Sequence, residues 1–360
     1  MAAPVDGVPD AELLRECADA AVHAVSAAAI VTRAVQRHEH RGKIDKADGS
    51  PVTIADFAAQ SLVIRELTRR LGERAPGLLR VVAEESSAYL RDPAHARERR
   101  AALAAAQGVW PDARDDEFLA MIDRGASTLE GADAPKAFWT LDPIDGTKGF
   151  IRGQHYCVCL ALIARGVPVV GALACPNLSL DPERPLDDIA PDERGVVLIA
   201  TPNEPVFVRP ADDPDSRGRP MERLRRRDDA LVFCESWESS HSDQSATRRV
   251  MTVLGDRGGG VGGRLIGPPA RIDSQCKYAV AARGQADVFL RRPRDPRRRD
   301  WIWDHAPGHL IASRMGLRIT DAHGVACDFS RGRRLEGNHG VLAALPEVHA
   351  EVLGALATLT

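Results

Sequence analysis

Hydrophobic residues recur at helical spacing in two segments near the start of the chain. From Ala11 to about His38 the apolar positions line one face and the charges cluster on the other, which predicts a long amphipathic helix. A second pattern of this kind runs from Ile54 to Leu71 and is followed by Gly72, a residue typical of helix C-termini. The segment between the two patterns, Lys43 to Pro51, is polar and rich in turn residues, so it predicts a charged loop.

Shorter apolar runs farther along the chain predict strands. These runs are Leu79 to Ala83, Trp139 to Asp142, Tyr156 to Ala164 and Val167 to Ala174. The last two flank Arg165-Gly166, which is typical of a β-hairpin. The alanine- and arginine-rich stretch that ends near Gln107 predicts either an exposed helix or a mobile insertion.

The second half of the chain alternates strand and helix patterns, which argues for an α/β fold. Strands are expected at Ala230 to Glu235 and Ala286 to Arg291, and helices at Ser245 to Leu254, Ser274 to Arg283 and Asp304 to Met315. Residues 181–230 are rich in Pro, Asp and Arg, so we place a lobe boundary near residue 180. At 360 residues we expect two lobes, an α+β lobe over 1–180 and an α/β lobe over 181–360, with a site between them.

Composition and charge exclude several classes of protein. The chain has 44% hydrophobic and 28% charged residues, as ordinary soluble globular proteins do. Its 48 basic and 51 acidic residues leave a net charge of −3, which argues against nucleic acid or an anionic membrane as the main partner. The apolar stretch from Ala20 to Val31 is short for a membrane span and follows acidic residues, so we do not expect a signal peptide.

The seven cysteines include no C-x-x-C pair. Cys157 and Cys159 lie two residues apart in an apolar run, where strand periodicity places both on one face. We therefore expect reduced thiols in the core and a cytoplasmic protein.

The segment LDPIDGTKGF, residues 141–150, carries the strongest chemical signal. Asp142 and Asp145 are separated by a rigid proline and followed by glycine, so both carboxylates can face one point from a tight turn. Mg²⁺ favours such oxygen ligands. Gly146 allows close approach of the backbone to a ligand, and a helix that begins at Thr147 would favour an anion there. A solvated turn is the alternative interpretation.

Two further acidic positions support a metal site. Glu84 and Glu85 follow a predicted strand, at the strand end where α/β proteins place their chemistry. Asp304 lies in Trp303 to Gly308, at the predicted start of a helix. The alternative for Asp304 is an N-cap residue.

Four segments resemble the signatures of the inositol monophosphatase superfamily of Mg²⁺-dependent, lithium-sensitive phosphatases. They are Lys46 to Gln60, Ala83 to Ser86, Asp142 to Phe150 and Trp303 to Gly308. Within that superfamily, Lys148-Gly149, Arg271 to Tyr278 and Ala286 to Arg291 resemble the 3′(2′),5′-bisphosphate nucleotidases. The match covers nearly the whole chain in order. It implies a layered α/β/α/β/α sandwich of two lobes.

The resemblance also implies roles for single residues. It places the metal ligands at Glu84, Asp142, the backbone carbonyl of Ile144, Asp145 and Asp304, with two or three Mg²⁺ ions in the site. It pairs Thr147 with Asp56 to orient and help deprotonate the attacking water. Two cations close together can generate hydroxide near neutral pH and stabilise the leaving oxygen.

Several polar residues are expected to bind the substrate. Ser274 and Lys277 lie one helical turn apart and can present a hydroxyl and a cation to a phosphate or a ribose. Arg291 ends a predicted strand and can offer a planar fork to a second phosphate or stack on a base. Gly146 and Thr147 complete this group. A helix cap or a solvated charge is the alternative for each cation.

His241 lies in the segment SSHSDQ, which resembles the His-Ser-x-His segment that lines the adenosine pocket in the family. Gln244 stands in place of the second histidine. The basic stretch from Arg291 to Asp300 contains two prolines and two aspartates, so it predicts an exposed loop rather than a nucleic-acid-binding patch.

We therefore expect an Mg²⁺-dependent phosphatase that removes the 3′-phosphate of adenosine 3′,5′-bisphosphate, and also accepts the 5′-phosphosulfate analogue formed in sulfur assimilation. Its partner would be the small nucleotide alone, without nucleic acid or membrane, and the protein would be a monomer. An inositol phosphate or sugar phosphate phosphatase of the same superfamily is the nearest alternative. A nucleotide sensor without catalysis is another, but such a sensor would not need every proposed metal carboxylate together with Thr147 and Asp56.

Overall fold

A computed structural model describes residues 9–37, 43–45, 51–129, 135–189, 194–224, 230–237, 243–256 and 264–359. The helices are α1 (Ala11–Arg37), α2 (Ile54–Leu71), α3 (Ala88–Arg91), α4 (Ala96–Gln107), α5 (Asp115–Asp123), α6 (Thr147–Arg152), α7 (Gln244–Asp256), α8 (Cys276–Arg283), α9 (Ala306–Arg314) and α10 (Pro346–Ala357). Short 3₁₀ helices cover Pro76–Leu78, Pro93–His95 and Ile302–Asp304.

The strands form a sheet of seven, a sheet of five and a separate pair. The pair is β1 (Lys43–Asp45) with β2 (Pro51–Thr53). The seven-stranded sheet holds, in spatial order, β3 (Val81–Ala83), β4 (Ala137–Asp145), β5 (Cys157–Ala164), β6 (Val167–Cys175), β7 (Val196–Ala200), β8 (Phe207–Pro210) and β9 (Arg219–Pro220). The five-stranded sheet holds, in spatial order, β11 (Ala270–Arg271), β10 (Phe233–Glu235), β12 (Val288–Arg291), β14 (Val341–Ala344) and β13 (Arg318–Thr320).

The long N-terminal helix α1 and its neighbour α2 lie where the periodicity predicts them. A capping box starts α2. The hydroxyl of Thr53 accepts a backbone N–H of the first turn, and the carboxylate of Asp56 accepts the backbone N–H of Thr53. Of the described helices, α1 is long and apolar enough to cross a membrane by length and composition, and 67% of its apolar window is buried inside the protein. Its apolar face packs on α2 and on the seven-stranded sheet.

Strand β5 shows why the central strands are apolar on both faces. Val158 and Leu160 lie in the core between the sheet and helices α1 and α2. Cys157 and Cys159 point to the other face, into a core shared with α8 and α9. The hairpin from β5 to β6 turns at Arg165 and Gly166, both with positive φ, as a two-residue turn of this hand requires.

The layers follow from these shared cores. Helices α1 and α2 cover one face of the seven-stranded sheet, and α8 and α9 fill the space between the two sheets. Helices α7 and α10 cover the outer face of the five-stranded sheet. This order is the predicted α/β/α/β/α sandwich, and the predicted fold class is confirmed.

The first sheet continues past the predicted boundary at residue 180. Strand β7 pairs antiparallel with β6, and β8 and β9 extend the same sheet to Pro220. The five-stranded sheet begins with Phe233. Gly195 to Ala200 and Pro205 to Val208 read as short strands in the sequence, but a single segment does not show which sheet it joins, so the prediction missed that they extend the first sheet.

Three local expectations also differ from the structure. The stretch before Gln107 forms helices α3 and α4, which bury Leu90, Ala102 and Ala106 against α2, so it is part of the fold rather than an insertion. Strand β4 does not turn at its proline but continues to Asp145. Helix α8 begins at Cys276, two residues after the predicted start.

Candidate active site

The two sheets bring the predicted acidic residues together at one end of the molecule. Strands β3 and β4 are parallel neighbours, so their carboxyl ends lie side by side. Glu84 follows the last residue of β3, and its backbone N–H donates to the carbonyl of Leu141, which precedes Asp142. The pairing of β3 with β4 thus places Glu84 and Asp142 next to each other.

The register of β4 is disrupted between Asp142 and Asp145. The carboxylate of Asp142 folds back to accept a hydrogen bond of 3.0 Å from the backbone N–H of Ile144. This irregularity turns both carboxylates toward one point, as the proline between them predicts. Gly146 follows with φ of 88°, a left-handed conformation that favours glycine, and a Cβ there would come within 2.9 Å of the Ser274 side chain.

Asp304 reaches the same point from the second half of the chain. It ends the short 3₁₀ helix Ile302–Asp304, one residue before His305 and the start of α9. Carboxylate oxygens of Asp142, Asp145 and Asp304 all lie within 4.8 Å of one another.

These carboxylates strongly disfavour each other's charge. Burial raises the pKa of Asp142 well above its usual range, and the neighbouring charges of Glu84, Asp145 and Asp304 raise it further. Burial raises the pKa of Asp304 as well, with Asp145 adding to the effect. A cluster of oxygen ligands whose negative charges need compensation fits a hard divalent cation such as Mg²⁺.

A cavity of about 280 Å³ opens over the carboxylates. Its lining comprises Glu84, Asp142, Ile144, Asp145, Gly146, Thr147, Lys148, Ser236, Asp273, Ser274, Gln275, Lys277, Tyr278, Phe289, Arg291, Arg298, Trp301, Asp304 and His305. All five predicted metal ligands and five of the six predicted substrate-binding residues are in this set. The lining combines these carboxylates with the cations Lys277 and Arg291, which suits an anionic ligand such as a phosphate ester bound together with a metal ion.

The predicted water-activating pair lies at the edge of this arrangement. Thr147 lines the cavity as the first residue of α6, and its hydroxyl donates a hydrogen bond of 3.2 Å to the carbonyl of Ile144. Asp56 is buried, accepts two hydrogen bonds of 2.7 Å from Thr53, and lies close enough to Asp142 for its charge to raise that pKa. Their joint action on a water molecule remains a prediction.

The predicted substrate cations are held deep in the protein. Lys277 is 3% exposed, and its ammonium donates a hydrogen bond of 3.3 Å to the carbonyl of Ile272. Ser274 precedes α8 with φ of 65° and accepts a hydrogen bond from the N–H of Cys276, so it faces the cavity from the turn rather than from the helix. Arg291 ends β12, as expected.

Two residues that the sequence did not single out support these groups. Asp300 is 4% exposed and accepts a hydrogen bond of 2.7 Å from Arg291, although it lies in the segment predicted as an exposed loop. That charge pair raises the pKa of Arg291 against the effect of burial and keeps it charged. Gln275 donates its backbone N–H to Asp145 at 2.5 Å and its side-chain amide to the carbonyl of Trp303.

The sequence offered only weak signals for these two residues. Gln275 lies inside the Arg271 to Tyr278 segment, and Asp300 is the one aspartate of its loop that adjoins the Trp301 to Asp304 segment. His241, the remaining predicted substrate residue, lies outside the described residues, as does the start of the first signature segment, residues 46–50.

The fold and the acidic site define a metal-dependent phosphatase of the α/β/α/β/α type. The chain belongs to the inositol monophosphatase family, whose model matches residues 13–359. It is 35% identical to the 3′(2′),5′-bisphosphate nucleotidase of Emericella nidulans, over 92% of this chain and 95% of that protein. It is 34% identical to the 3′(2′),5′-bisphosphate nucleotidase of Schizosaccharomyces pombe, over 92% of this chain and 90% of that protein.

The solved structures show the same fold at lower identity. The extragenic suppressor protein suhB from Bartonella henselae superposes with a TM-score of 0.59, at 17% identity, over 94% of this chain and 96% of that one. The likeness supports the layered architecture.

Proposed function

We propose that this protein is a 3′(2′),5′-bisphosphate nucleotidase that hydrolyses the 3′-phosphate of adenosine 3′,5′-bisphosphate to give AMP and phosphate. The observation that carries the proposal is that one cavity is lined both by a cluster of carboxylates and by cations. The carboxylates are Asp142, Asp145 and Asp304, and the cations are Lys277 and Arg291. The two similar nucleotidases, which match this chain over nearly its whole length, support the same activity.

The carboxylate cluster fits Mg²⁺, and we assign the metal ligands to Glu84, Asp142, the carbonyl of Ile144, Asp145 and Asp304. Two or three bound Mg²⁺ ions would supply the positive charge that stabilises phosphoryl transfer. The chain's part is to hold these oxygens in place. Gln275 does so through Asp145, and the β4 irregularity does so through Asp142.

We assign Lys277 and Arg291 to the part of the substrate that does not react. Both are charged donors that can bind the 5′-phosphate, and Asp300 keeps the Arg291 fork in one orientation. Gly146 and Ser274 bring backbone and hydroxyl groups into the cavity lining, where they can approach the substrate. The same two cations would accept the 5′-phosphosulfate analogue, because a sulfated phosphate presents similar anionic oxygens.

We assign the orientation of the attacking water to Thr147. Its hydroxyl lies within the cavity lining and is held by the carbonyl of Ile144. We assign Asp56, which is buried near Asp142, to take up the proton relayed through the threonine hydroxyl.

A phosphate-release screen of the purified protein tests the proposal. The panel holds adenosine 3′,5′-bisphosphate, its 5′-phosphosulfate analogue, inositol 1-phosphate and fructose 1,6-bisphosphate, each with Mg²⁺ and with EDTA. We expect the two adenosine compounds to be hydrolysed with the highest kcat/KM, only with Mg²⁺, and with stronger inhibition by LiCl than by NaCl. Preference for inositol or sugar phosphates would contradict the proposed substrate, and turnover in EDTA would contradict the metal assignment.

We further propose that the protein acts in the cytoplasm as a monomer. All seven cysteines are free thiols and six of them are buried, which suits a reducing compartment. Size-exclusion chromatography with light scattering tests the oligomeric state, and fractionation of cells that express the tagged protein tests the location.

A further inference from the structure

Three cysteine side chains meet in the core between the two sheets. Cys157 on β5 and Cys175 on β6 lie across from each other with their sulfurs 3.5 Å apart. Cys276 opens α8, and its thiol donates a hydrogen bond of 3.2 Å to the carbonyl of Tyr156. All three sulfurs lie within 4.8 Å of one another, and all three residues are 0% exposed.

Two buried groups beside these thiols have atoms without a hydrogen-bond partner in the described part of the chain. His155 is 6% exposed, and one ring nitrogen, Nε2, bonds to the carbonyl of Leu186, so Nδ1 is the unpartnered atom. Arg283 ends α8, is 3% exposed, and has an unpartnered Nη1. An unpaired buried polar group is costly. The free Nη1 of Arg283 is a cationic donor that lacks an acceptor among the described residues, and the free Nδ1 of His155 can take up a proton released nearby.

Without a cation, the electrostatics favour a thiolate at Cys276 alone, because burial raises the pKa of Cys157 and hydrogen bonds to the other two thiols raise that of Cys175. Although burial acts to raise it, the pKa of Cys276 is lowered, because the thiols of Cys157 and Cys175 hydrogen-bond to it and the charge of His155 is near. Burial lowers the pKa of Arg283 to about 10, while negative charge on Cys175 or Cys276 acts to raise it.

We propose that Cys157, Cys175 and Cys276 form a second, internal metal site for a soft, thiophilic cation, Cu⁺ in particular. Each Cu–S bond replaces one S–H bond, and the displaced proton leaves to His155 or to solvent. Three thiolates around one Cu⁺ carry a net charge of −2, which Arg283 and a protonated His155 offset. The site uses none of the carboxylate ligands, although Cys157 pairs with Asp145 across β5 and β4, and it does not depend on the proposed phosphatase activity.

The geometry favours this cation over harder ones. Three sulfurs at about 2.3 Å from a central cation, the distance typical of protein Zn–S bonds, lie about 4.0 Å apart. The three sulfurs here lie within 4.8 Å, so a small shift suffices. Structural Zn²⁺ sites use four ligands, whereas a set of three thiolates suits Cu⁺, and Mg²⁺ prefers the oxygens of the carboxylate cluster.

An anaerobic titration of the reduced protein tests the proposal. Cu⁺ is delivered from its complex with bathocuproine disulfonate, in the presence of Mg²⁺, and the loss of that complex's colour reports transfer to the protein. We expect one tightly bound Cu⁺ per chain. Cys276→Ala and Cys175→Ala are expected to weaken binding at least tenfold, whereas Cys17→Ala, which removes another buried thiol, and Cys327→Ala, which removes a partly exposed one, are expected to leave it unchanged.

A second measurement keeps the test independent of whether the variants fold. X-ray absorption at the copper edge of the loaded wild-type protein is expected to show three sulfur ligands. Circular dichroism of each variant shows whether its fold is intact. A reduced wild-type protein that binds no Cu⁺, copper bound through nitrogen or oxygen, or equal affinity in folded Cys276→Ala and Cys17→Ala would overturn the proposal.

Discussion

At the scale of single residues, the buried carboxylates of the active site cost folding free energy. Burial raises the pKa of Asp142, Asp145 and Asp304, and the neighbouring carboxylates raise that of Asp142 and Asp304 further, whereas Lys277 and Arg291 partly offset the rise at Asp145. The cost falls when a cation binds among them, so the same residues that destabilise the metal-free protein give the metal its affinity.

Asp145→Asn is expected to abolish Mg²⁺-dependent phosphate release, with a loss in kcat/KM of more than about a hundredfold, the upper range seen for residues that only support a metal ligand. The melting temperature in EDTA should not fall, because the change removes one repulsive charge and keeps an oxygen that can accept from Gln275. Kinetics and thermal melts measure both. Asp295→Asn, which changes an exposed aspartate, is the matched control. Near-normal turnover in Asp145→Asn would remove this residue from the metal site.

Lys277→Met is expected to impair hydrolysis of adenosine 3′,5′-bisphosphate far more than hydrolysis of a small phosphomonoester. A charge-assisted hydrogen bond contributes about 1.5 to 3 kcal/mol, so kcat/KM for the nucleotide should fall roughly ten- to a hundredfold. Steady-state kinetics on both substrates measure the difference. Lys136→Met, at an exposed lysine, should change neither. Equal losses on both substrates in Lys277→Met would mean that Lys277 supports the metal site or the fold instead.

At the scale of whole elements, one loop joins the two segments that carry metal ligands. Arg333 donates to the carbonyl of Ala83 at 2.9 Å, next to Glu84, and its guanidinium lies 5.0 Å over the ring of Trp303, next to Asp304. The backbone carbonyl of Arg333 also accepts from the N–H of Ile302. This arginine therefore holds the end of β3 against the 3₁₀ helix that ends in Asp304.

Arg333→Ala is expected to weaken Mg²⁺ binding about tenfold, since it removes a charged hydrogen bond that positions a ligand without being one. Isothermal titration calorimetry of the metal-free protein measures this affinity directly. Arg331→Ala, in the same loop, removes an exposed ion pair with Asp328 and should leave the affinity unchanged. Equal Mg²⁺ affinities in the two variants would show that the contacts of Arg333 do not act on the metal site.

Helix α10 is attached to the five-stranded sheet through a buried histidine. His349 is 0% exposed, and its Nε2 lies 2.9 Å from the hydroxyl of Thr320, which donates to the carbonyl of Asp321. The ring therefore donates from Nε2 and stays neutral. Burial lowers the pKa of His349 to about 4, with the charge of Arg318 acting in the same direction.

This histidine makes stability depend on pH in the acid range. Its unfolded pKa is about 6.5, so between pH 6.5 and 4 the unfolded chain takes up a proton that the folded one does not. The free energy of unfolding should fall across that range as the pH is lowered. His349→Gln, which keeps a donor but cannot be protonated, should show a shallower fall. Urea melts at a series of pH values measure the difference, and parallel slopes would contradict the assignment.

For the whole molecule, the proposed metal site links parts of the chain that are far apart in sequence. Glu84 follows β3 and Asp142 and Asp145 lie in β4, both in the seven-stranded sheet, whereas Asp304 ends the 3₁₀ helix that follows β12 of the five-stranded sheet. Binding a cation among them should stabilise the entire fold, because only the folded chain assembles the ligands.

Mg²⁺ at a hundred times its dissociation constant should raise the free energy of unfolding by about 2.7 kcal/mol. The melting temperature is expected to rise by a few degrees in Mg²⁺ over EDTA. Differential scanning calorimetry measures the shift. Asp145→Asn, lacking one ligand, should show little of it, and the same rise in this variant would place the stabilising Mg²⁺ elsewhere.

The sequence alone determined the parts of this protein that depend on near neighbours along the chain. Helix α2 spans the predicted residues, since helical periodicity and the Thr53 to Asp56 capping box act within one turn. The hairpin at Arg165-Gly166 follows from turn chemistry. The family and the acidic residues were also readable, because each signature is a short continuous segment.

The tertiary structure decided what depends on distant pairing. Strands β7 to β9 extend the first sheet by pairing at its edge, and the sequence of one short strand does not show which sheet it joins. Asp300 is buried where it pairs with Arg291, and Arg333 bonds to Ala83, which lies 250 residues earlier in the chain. Such contacts depend on how the fold brings distant elements together, and the periodicity of a single segment does not predict that arrangement.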